Sequence, residues 1–166
     1  MNAVAMGIMS QFLAGYPLKE WASVLEVGSM NLNGSYRGLF PISVKYTGVD
    51  IEAGLGVDIV LQEQYTYPFP SDFFDMVVCG QTLEHVEDVM ACMKEMARVL
   101  IPGGVIFVCV PWKWPWHRYP LDCWRILPDG ISWLFRNCGI DIMDIRMHQD
   151  VAEDEGHTIG IGRKQI

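Results

Sequence analysis

The sequence predicts a three-layer, doubly wound α/β fold on a mostly parallel seven-stranded sheet with an antiparallel edge strand. Short apolar strands alternate with helical patterns along the chain, and this order produces parallel sheets. The segment Val105–Val110 is apolar throughout, as expected of a strand that is covered on both faces. No helical pattern separates the last two predicted strands, Ile140–Met147 and His157–Gly162, so we expect them to pair antiparallel at one edge.

The first half of the chain supplies three of the strands. We predict them over Ser23–Val27, Val44–Val49 and Val57–Leu61. A short helix over residues 35–40 is predicted to end at Pro41, because proline cannot continue the hydrogen-bond ladder of a helix. The stretch 51–56 holds two glycines and is too short for a helix. Residues 1–13 are rich in small and large apolar side chains, which favours a short docking helix.

The second half adds a strand over Phe73–Cys79 and two longer helices. Apolar residues recur at helical spacing over Val86–Leu100, and the Pro-Gly-Gly that follows is predicted to stop this helix. A second helix over Pro128–Cys138 begins with proline, which the first turn of a helix tolerates. Between them, Pro111–Arg125 is predicted to be a long aromatic loop.

Length and composition limit the class of protein. A chain of 166 residues with 51% hydrophobic and 19% charged residues can bury a real core, so we expect a single domain over 1–166. The formal net charge of -8 argues against a nucleic-acid partner, because the phosphate backbone attracts basic surfaces. No apolar run reaches the roughly 20 residues of a membrane span, and the N-terminal stretch lacks the basic region of a signal peptide.

The five cysteines are odd in number and form no Cys-x-x-Cys pair, which indicates free thiols in a reducing, cytoplasmic setting. The sequence also contains no metal-ligand spacing, and we predict no metal site from it.

Polar and special residues cluster where the predicted strands end, which is the ligand-binding edge of an open α/β sheet. They are Glu26, Gly28, Asp50, Gln62, Glu63, Gly80 and Gln81. The Asp50 carboxylate can accept hydrogen bonds from both hydroxyls of a ribose, or it can form a turn before the glycine-containing loop. Glu26 needs a partner, either a ligand ammonium or the loop N–H groups. Met30 and Leu32 would crowd a pyrophosphate, which argues against NAD or FAD.

Five segments then match a known family in its own order. They are Val24–Gly28, Tyr46–Asp50, Tyr67–Pro70 with Phe74–Val78, Leu83–Val86 and Ala97–Gly104. Together they cover about residues 22–110, and the chain resembles the class I S-adenosylmethionine-dependent methyltransferases. The resemblance implies a Rossmann-like methyltransferase fold, S-adenosylmethionine as cofactor and S-adenosylhomocysteine as product.

The resemblance also implies roles for the residues at the strand ends. Glu26 and Gly28 would hold the methionine moiety, with Ser29 and Asn31 in the same loop. The remaining contacts would come from Asp50 to the ribose, Ile51 to the adenine, Gln62 and Glu63 near the adenine amine, and Gly80 and Gln81 at the methionine end. The chain departs from the family's usual three-glycine loop at Met30 and Leu32, and the aspartate common after the third strand is absent.

The loop after the fifth strand is predicted to face the methyl acceptor. Its pattern His-x-Tyr-Pro-x-Asp-x-Trp-Arg is similar to methyltransferases found among sugar and polysaccharide biosynthesis enzymes. A hydroxyl acceptor must lose a proton, so a base helps; His117 is the first candidate, His85 the second and Asp122 the third. His117 could equally be a structural loop histidine. Arg125 could pair with Asp122 or grip a substrate anion, and the tryptophans could form a lid or a stacking platform.

The sequence therefore predicts methyl transfer to a small-molecule acceptor, with a hydroxyl of a sugar or related metabolite as the expected group. The alternatives are a non-catalytic S-adenosylmethionine-binding scaffold domain of the same fold and a nicotinamide-dependent enzyme. The identity of the acceptor atom, whether O, N or C, stays open. The exposed aromatic loop is a candidate contact for a homodimer.

Overall fold

The computed structural model describes residues 3–20, 22–150 and 154–166. Its strands are β1 (Ser23–Val27), β2 (Lys45–Asp50), β3 (Ile59–Val60), β4 (Phe74–Gly80), β5 (Leu100–Lys113), β6 (Ile140–Asp150) and β7 (Glu155–Lys164). Its α-helices are α1 (Ala3–Gly15), α2 (Val89–Val99) and α3 (Pro128–Asn137). Two short 3₁₀ turns cover Tyr36–Leu39 and Leu83–His85.

The seven strands form one sheet in the order β3-β2-β1-β4-β5-β7-β6. Strands β1 to β5 pair in parallel with one another, and β7 pairs antiparallel with both β5 and β6. This arrangement confirms the predicted fold class and the antiparallel edge. The strand order reverses beside β1, so β1, β2 and β4 end side by side at the switch point where such sheets bind ligands.

Helices cover both faces of the sheet and create two apolar clusters. Alternate residues of β5 separate between them: Ile106 and Val108 pack in the cluster that includes α2 and α3, whereas Phe107 packs in the cluster with α1 and Tyr36. Val105–Val110 is almost fully buried, as its unbroken apolar sequence predicted. No helix in the described residues is long and apolar enough to cross a membrane.

Several predicted elements have different boundaries in the structure. The helix predicted over 35–40 is only the 3₁₀ turn Tyr36–Leu39, and the third strand shortens to Ile59–Val60. The helix predicted from Val86 begins at Val89, because the Asp88 side chain caps it by accepting the N–H of Ala91 at 2.9 Å. The docking helix predicted over 1–13 is α1; residues 1 and 2 lie outside the described part.

The fifth strand differs most from its predicted bounds. It runs from Leu100 to Lys113, through the Pro-Gly-Gly that was predicted as a helix stop and into the predicted loop. Pairing explains the extension: β4 pairs with it from Leu100 onward, and β7 pairs with it as far as Lys113. These neighbours come from distant parts of the chain, so local sequence could not reveal the added length.

Candidate active site

The carboxyl ends of β1, β2 and β4 open into one cleft of about 640 Å³. The loop after β1 and the residues after β2 form one wall, and the loop after β5 forms the other. Predicted site residues in the lining are Glu26, Gly28, Ser29, Asp50, Ile51, Gly80, Gln81, His85 and His117. The fold thus brings nine of the predicted residues to a single cavity.

Gly28 makes the turn that brings the first loop against the cleft. Its φ is +74°, and a Cβ there would lie 2.0 Å from Oγ1 of Thr82, so the position requires glycine. The N–H groups of Gly28 and Ser29 both donate to the carbonyl of Val49, at 2.9 and 3.1 Å. These bonds join the loop to the end of β2. Met30 and Leu32 also line the cleft.

Glu26 presents a buried carboxylate at the floor of the cleft. Its side chain is 1% exposed, and Oε2 has no hydrogen-bond partner among the described residues. Burial raises the pKa of Glu26 to about 7, against smaller lowering effects of the Tyr46 hydroxyl and then of the Arg37 charge. Arg37 itself forms an ion pair with Asp58. A ligand ammonium group would supply the partner that the Glu26 oxygen lacks.

Asp50 lies at the end of β2, where its carboxylate stabilises both neighbouring loops. Oδ1 accepts the N–H of Ile51 at 2.7 Å, and Oδ2 accepts the N–H of Met30 at 3.0 Å. Oδ1 also accepts a long bond from the N–H of Glu52 at 3.5 Å. A carboxylate has about four lone-pair sites, so capacity for a further donor remains. Asp50 therefore performs the predicted turn-forming role and can still bind ribose hydroxyls. Ile51 is partly exposed beside it in the cleft.

Three predicted cofactor residues do not line the cleft. Asn31 caps its own loop, since its Oδ1 accepts the N–H of Gly34 at 2.9 Å. Gln62 and Glu63 line a separate shallow depression on the outside of β3. Gln64 lines the cleft instead. Because β3 is shorter than predicted, the turn after it begins earlier in the chain. The sequence pattern does not predict which residue of such a turn faces the cleft.

The opposite wall carries the two histidines predicted as bases. Their ring centroids lie 4.9 Å apart in an edge-to-face arrangement. Nδ1 of His85 is 2.5 Å from the carbonyl oxygen of Leu121, and Nδ1 of His117 is 3.0 Å from that of Pro115. Burial lowers the pKa of His85, which favours its neutral, proton-accepting form.

Asp122 lies behind this wall. Its side chain is 1% exposed and pairs with the Arg125 guanidinium at 2.6 and 2.9 Å. This hydrogen-bonded pairing holds the pKa of Asp122 down to about 2. Asp122 also accepts the backbone N–H of His117 at 2.7 Å, and Arg125 donates to the carbonyls of Trp114 and Pro115. The Asp122–Arg125 pair therefore positions the loop. Of the two roles predicted for Arg125, the structure shows the pairing with Asp122.

The tryptophans of the aromatic loop have different surroundings. Trp112 and Trp124 donate their indole N–H groups to the carbonyls of His148 and Val86, at 3.2 and 2.7 Å. Trp114 lines the cleft and lies 6.2 Å from His117, measured between ring centroids. Trp116 is 75% exposed. Some of the rings thus hold the loop in place, whereas Trp114 faces the ligand space.

Glu84 is a buried polar residue for which the sequence predicts no catalytic or cofactor-binding role. Its side chain is 0% exposed, and neither carboxylate oxygen has a hydrogen-bond partner in the described part of the chain. Burial raises the pKa of Glu84 to about 8. The adjacent Glu-His pair in the sequence was the available signal, but its burial depends on the loop after β5, whose Cys123 and Trp124 N–H groups donate to the Glu84 carbonyl.

Comparison with known proteins identifies the family. The methyltransferase domain family matches residues 25–108, which is about half of the chain and includes β1 through most of β5. Demethylmenaquinone methyltransferase of Mycolicibacterium paratuberculosis is 32% identical over 97 residues, covering 57% of this chain and 41% of that protein. The chain thus spans less than half the length of this curated relative.

Solved structures show the same fold along almost the whole chain. The 1,6-didemethyltoxoflavin-N1-methyltransferase of Burkholderia thailandensis was solved with bound 1,6-didemethyltoxoflavin and S-adenosylhomocysteine. It superposes with a TM-score of 0.78 at 15% identity, covering 99% of this chain and 80% of that one. An S-adenosylmethionine-dependent methyltransferase of Aquifex aeolicus has a TM-score of 0.67 at 14% identity, covering 98% of both chains. The family match and the shared fold together show that the chain belongs to the class I S-adenosylmethionine-dependent methyltransferases.

Proposed function

We propose that this chain transfers the methyl group of S-adenosylmethionine to a hydroxyl of a small, ring-bearing acceptor such as a sugar or related metabolite. The observation that carries the proposal is the unpartnered Oε2 of Glu26 in a cleft that also contains Asp50 and His117. A cationic amino-acid group at one end and a nucleoside at the other would satisfy these residues. The family supports the same cofactor.

The cofactor-binding wall fits the proposed ligand at each of its ends. Glu26 would accept the ligand ammonium, and the tight turn at Gly28 allows a close approach to the backbone. Asp50 would bind the ribose hydroxyls while it keeps its short bonds to the Met30 and Ile51 N–H groups. Ile51 would pack against the adenine, with Gln64 in the same cleft as the polar neighbour. When bound, S-adenosylmethionine supplies an electrophilic methyl group on a sulfonium.

The acceptor wall would orient the hydroxyl and accept its proton. The Pro115 carbonyl holds Nδ1 of His117, so Nε2 of that ring carries the lone pair. His117 would take the proton as the acceptor oxygen attacks, and His85 lies beside it in the same wall. Alignment of the two reactants can lower the activation free energy by about 7–11 kcal/mol. Positioning of the acceptor by the loop would therefore be central to the rate.

Three further residues of the cleft lining support this acceptor class. Trp114 and Tyr119 offer aromatic faces, and Arg118 adds a positive charge. These groups suit a ring with one apolar face and several polar substituents. The named relative is a demethylmenaquinone methyltransferase, so a quinone-related ring is the main competitor to a sugar hydroxyl.

Calorimetry with S-adenosylhomocysteine tests the cofactor assignment directly. We expect micromolar or tighter binding that NADH does not displace; absence of binding at high micromolar concentration would overturn the proposal. Methyl transfer is then measured by mass spectrometry, with S-adenosylmethionine and matched panels of sugar hydroxyls and catechol-type phenols. Methylation confined to the phenols would correct the acceptor, and cofactor binding without turnover on either panel would favour a scaffold domain.

A further inference from the structure

Three side chains of metal-ligating type meet at the acceptor wall: Glu84, His85 and His117. One ligand atom from each lies within 4.8 Å of the others, and Nε2 of His85 is 3.8 Å from Oε1 of Glu84. The first two residues belong to the 3₁₀ turn after β4, and the third belongs to the loop after β5. Since β4 and β5 are parallel neighbours, their ends bring these residues together.

Both imidazoles are held with their Nε2 lone pairs available. A carbonyl oxygen can only accept a hydrogen bond, so each Nδ1 donates: His85 to Leu121 at 2.5 Å and His117 to Pro115 at 3.0 Å. Each Nε2 is then unprotonated in the neutral ring. Metal-binding histidines usually donate the other ring N–H to a carbonyl or carboxylate, which fixes this same tautomer.

Glu84 lacks the partner that a buried carboxylate requires. Both of its oxygens are buried without a hydrogen bond in the residues that the structure describes. The Arg125 guanidinium in the neighbouring loop is engaged by Asp122 instead. An unpaired ionised carboxylate in the interior is strongly unfavourable, whereas a cation between Glu84 and the two imidazoles would satisfy all three groups.

We propose that Glu84, His85 and His117 form a binding site for a divalent transition cation of the zinc class. Two imidazoles and one carboxylate are the protein ligands of a known type of catalytic zinc site, which keeps one position open for water or substrate. Imidazole favours zinc and its transition-metal neighbours over magnesium and calcium. Because His85 and His117 line the cleft, the open position would face the acceptor.

The chemical role of this cation rests on the proposed function, but its binding does not. A bound acceptor hydroxyl would lose its proton to bulk water at lower pH, because the cation stabilises the oxyanion. The oxygen lone pair then forms the new C–O bond while the C–S bond breaks, and that bond's electron pair stays on sulfur. In the cation-bound protein the two imidazoles would be ligands, and the role of His117 as a base would apply only to the cation-free protein. The cation would keep its oxidation state.

Titration of metal-free protein with Co²⁺ and Zn²⁺, without cofactor or acceptor, tests the site. We expect one equivalent of Co²⁺ with the visible absorption of a low-symmetry, imidazole-bound ion, displaced by Zn²⁺. Glu84→Gln and His117→Gln should each weaken binding about 100-fold. Matched controls are His148→Gln on the exposed face of β6 and Cys123→Ser, which removes an exposed thiol; both should leave affinity unchanged within about twofold.

Four outcomes would overturn the cation site. The first is that no cation binds stoichiometrically below about 100 μM. The second is that Glu84→Gln and His117→Gln both bind Co²⁺ as tightly as the wild type. The third and fourth are a loss of Co²⁺ affinity confined to Cys123→Ser and a loss of Co²⁺ affinity in His148→Gln. Retained S-adenosylhomocysteine binding shows that a variant is folded. If Glu84→Gln does not fold, His117→Gln still tests the site, because it changes only a residue of the loop. If no cation binds and methyl transfer persists in EDTA, the cation site is wrong and the proposed function stands. If a cation binds but S-adenosylhomocysteine does not, the proposed function is wrong and the cation site stands.

Discussion

The two walls of the cleft are built on different principles. The cofactor wall is formed by residues next to strand ends, such as Glu26, Gly28 and Asp50, so the sheet itself fixes their positions. The acceptor wall is a loop that holds its shape through side chains bonded to backbone carbonyls, centred on the Asp122–Arg125 pair. The first wall is an extension of the fold, whereas the second depends on a few polar contacts within one segment.

This difference explains why one wall can stay constant while the other varies. Strand ends in a parallel sheet offer few alternatives, because register and neighbouring strands determine them. A loop held by its own hydrogen bonds can change length and residues without affecting the core. Substitutions in each wall should therefore separate cofactor binding from the order of the acceptor loop.

The largest expected effect is on the cofactor wall, from Asp50→Ala. The change removes two charge-assisted hydrogen bonds to the proposed ribose, each contributing about 1.5–3 kcal/mol. The affinity for S-adenosylhomocysteine should fall by about 100-fold or more, as measured by calorimetry. Asp50→Asn is the matched control, because it keeps one acceptor oxygen and should lose less. Equal affinity in wild type and Asp50→Ala would remove Asp50 from the cofactor site.

The second effect is a pH dependence of stability from Glu26. Burial raises its pKa from 4.5 to about 7, so the folded protein binds this proton more tightly than the unfolded chain does. The stability that Glu26 contributes is therefore complete below about pH 4.5 and is lost as the pH rises through 7. Over that window the loss amounts to about 3 kcal/mol.

Glu26→Gln removes this titration, so urea unfolding at pH 5 and pH 8 provides the measurement. Between pH 5 and pH 8 the free energy of unfolding of the wild type should fall by about 3 kcal/mol more than that of the variant. Parallel stability profiles for the two proteins would mean that Glu26 is not buried in its neutral form. The test needs no cofactor and therefore examines the wall itself.

The cofactor wall was also the part that sequence predicted best. An acid and a glycine after an apolar run, followed by an aspartate after the next strand, are local signals, and the structure places Glu26, Gly28 and Asp50 in one cleft. Gln62 and Glu63 follow the predicted third strand, which is shorter in the structure, and Gln64 lines the cleft instead. Local patterns thus identify strand ends but do not fix the turn that follows.

The acceptor wall was less predictable because its order comes from contacts between separate segments. His85 and His117 were identified by residue type, but their bonds to the Leu121 and Pro115 carbonyls depend on the folded loop. The burial of Glu84 likewise requires that loop to cover the turn after β4. No spacing pattern along the chain encodes this contact.

A smaller effect is expected from Asp122→Ala, which tests whether one ion pair orders the acceptor wall. The change leaves the Arg125 guanidinium without its carboxylate and the His117 N–H without its acceptor. Amides of residues 114–125 should exchange with deuterium about 30-fold faster, equivalent to about 2 kcal/mol of local stability. Amides of β1 and β2 should be unaffected. Asp122→Asn retains an acceptor oxygen and should have an intermediate effect; uniform acceleration over the whole chain would contradict a local role.

The smallest expected effect concerns the point where the acceptor loop leads into α3. Leu127 occupies the N-cap position of α3 with extended backbone, and its side chain makes no cap hydrogen bond. The residue is 54% exposed. Leu127→Thr should add a hydroxyl acceptor for a first-turn N–H and raise the free energy of unfolding by about 1 kcal/mol. Leu127→Ala is the matched control, since it removes the same apolar surface without adding a cap, and urea unfolding compares the two. Equal stability of Thr and Ala variants would mean that the loop holds α3 without a cap, and that the acceptor wall is more rigid than its few polar contacts suggest.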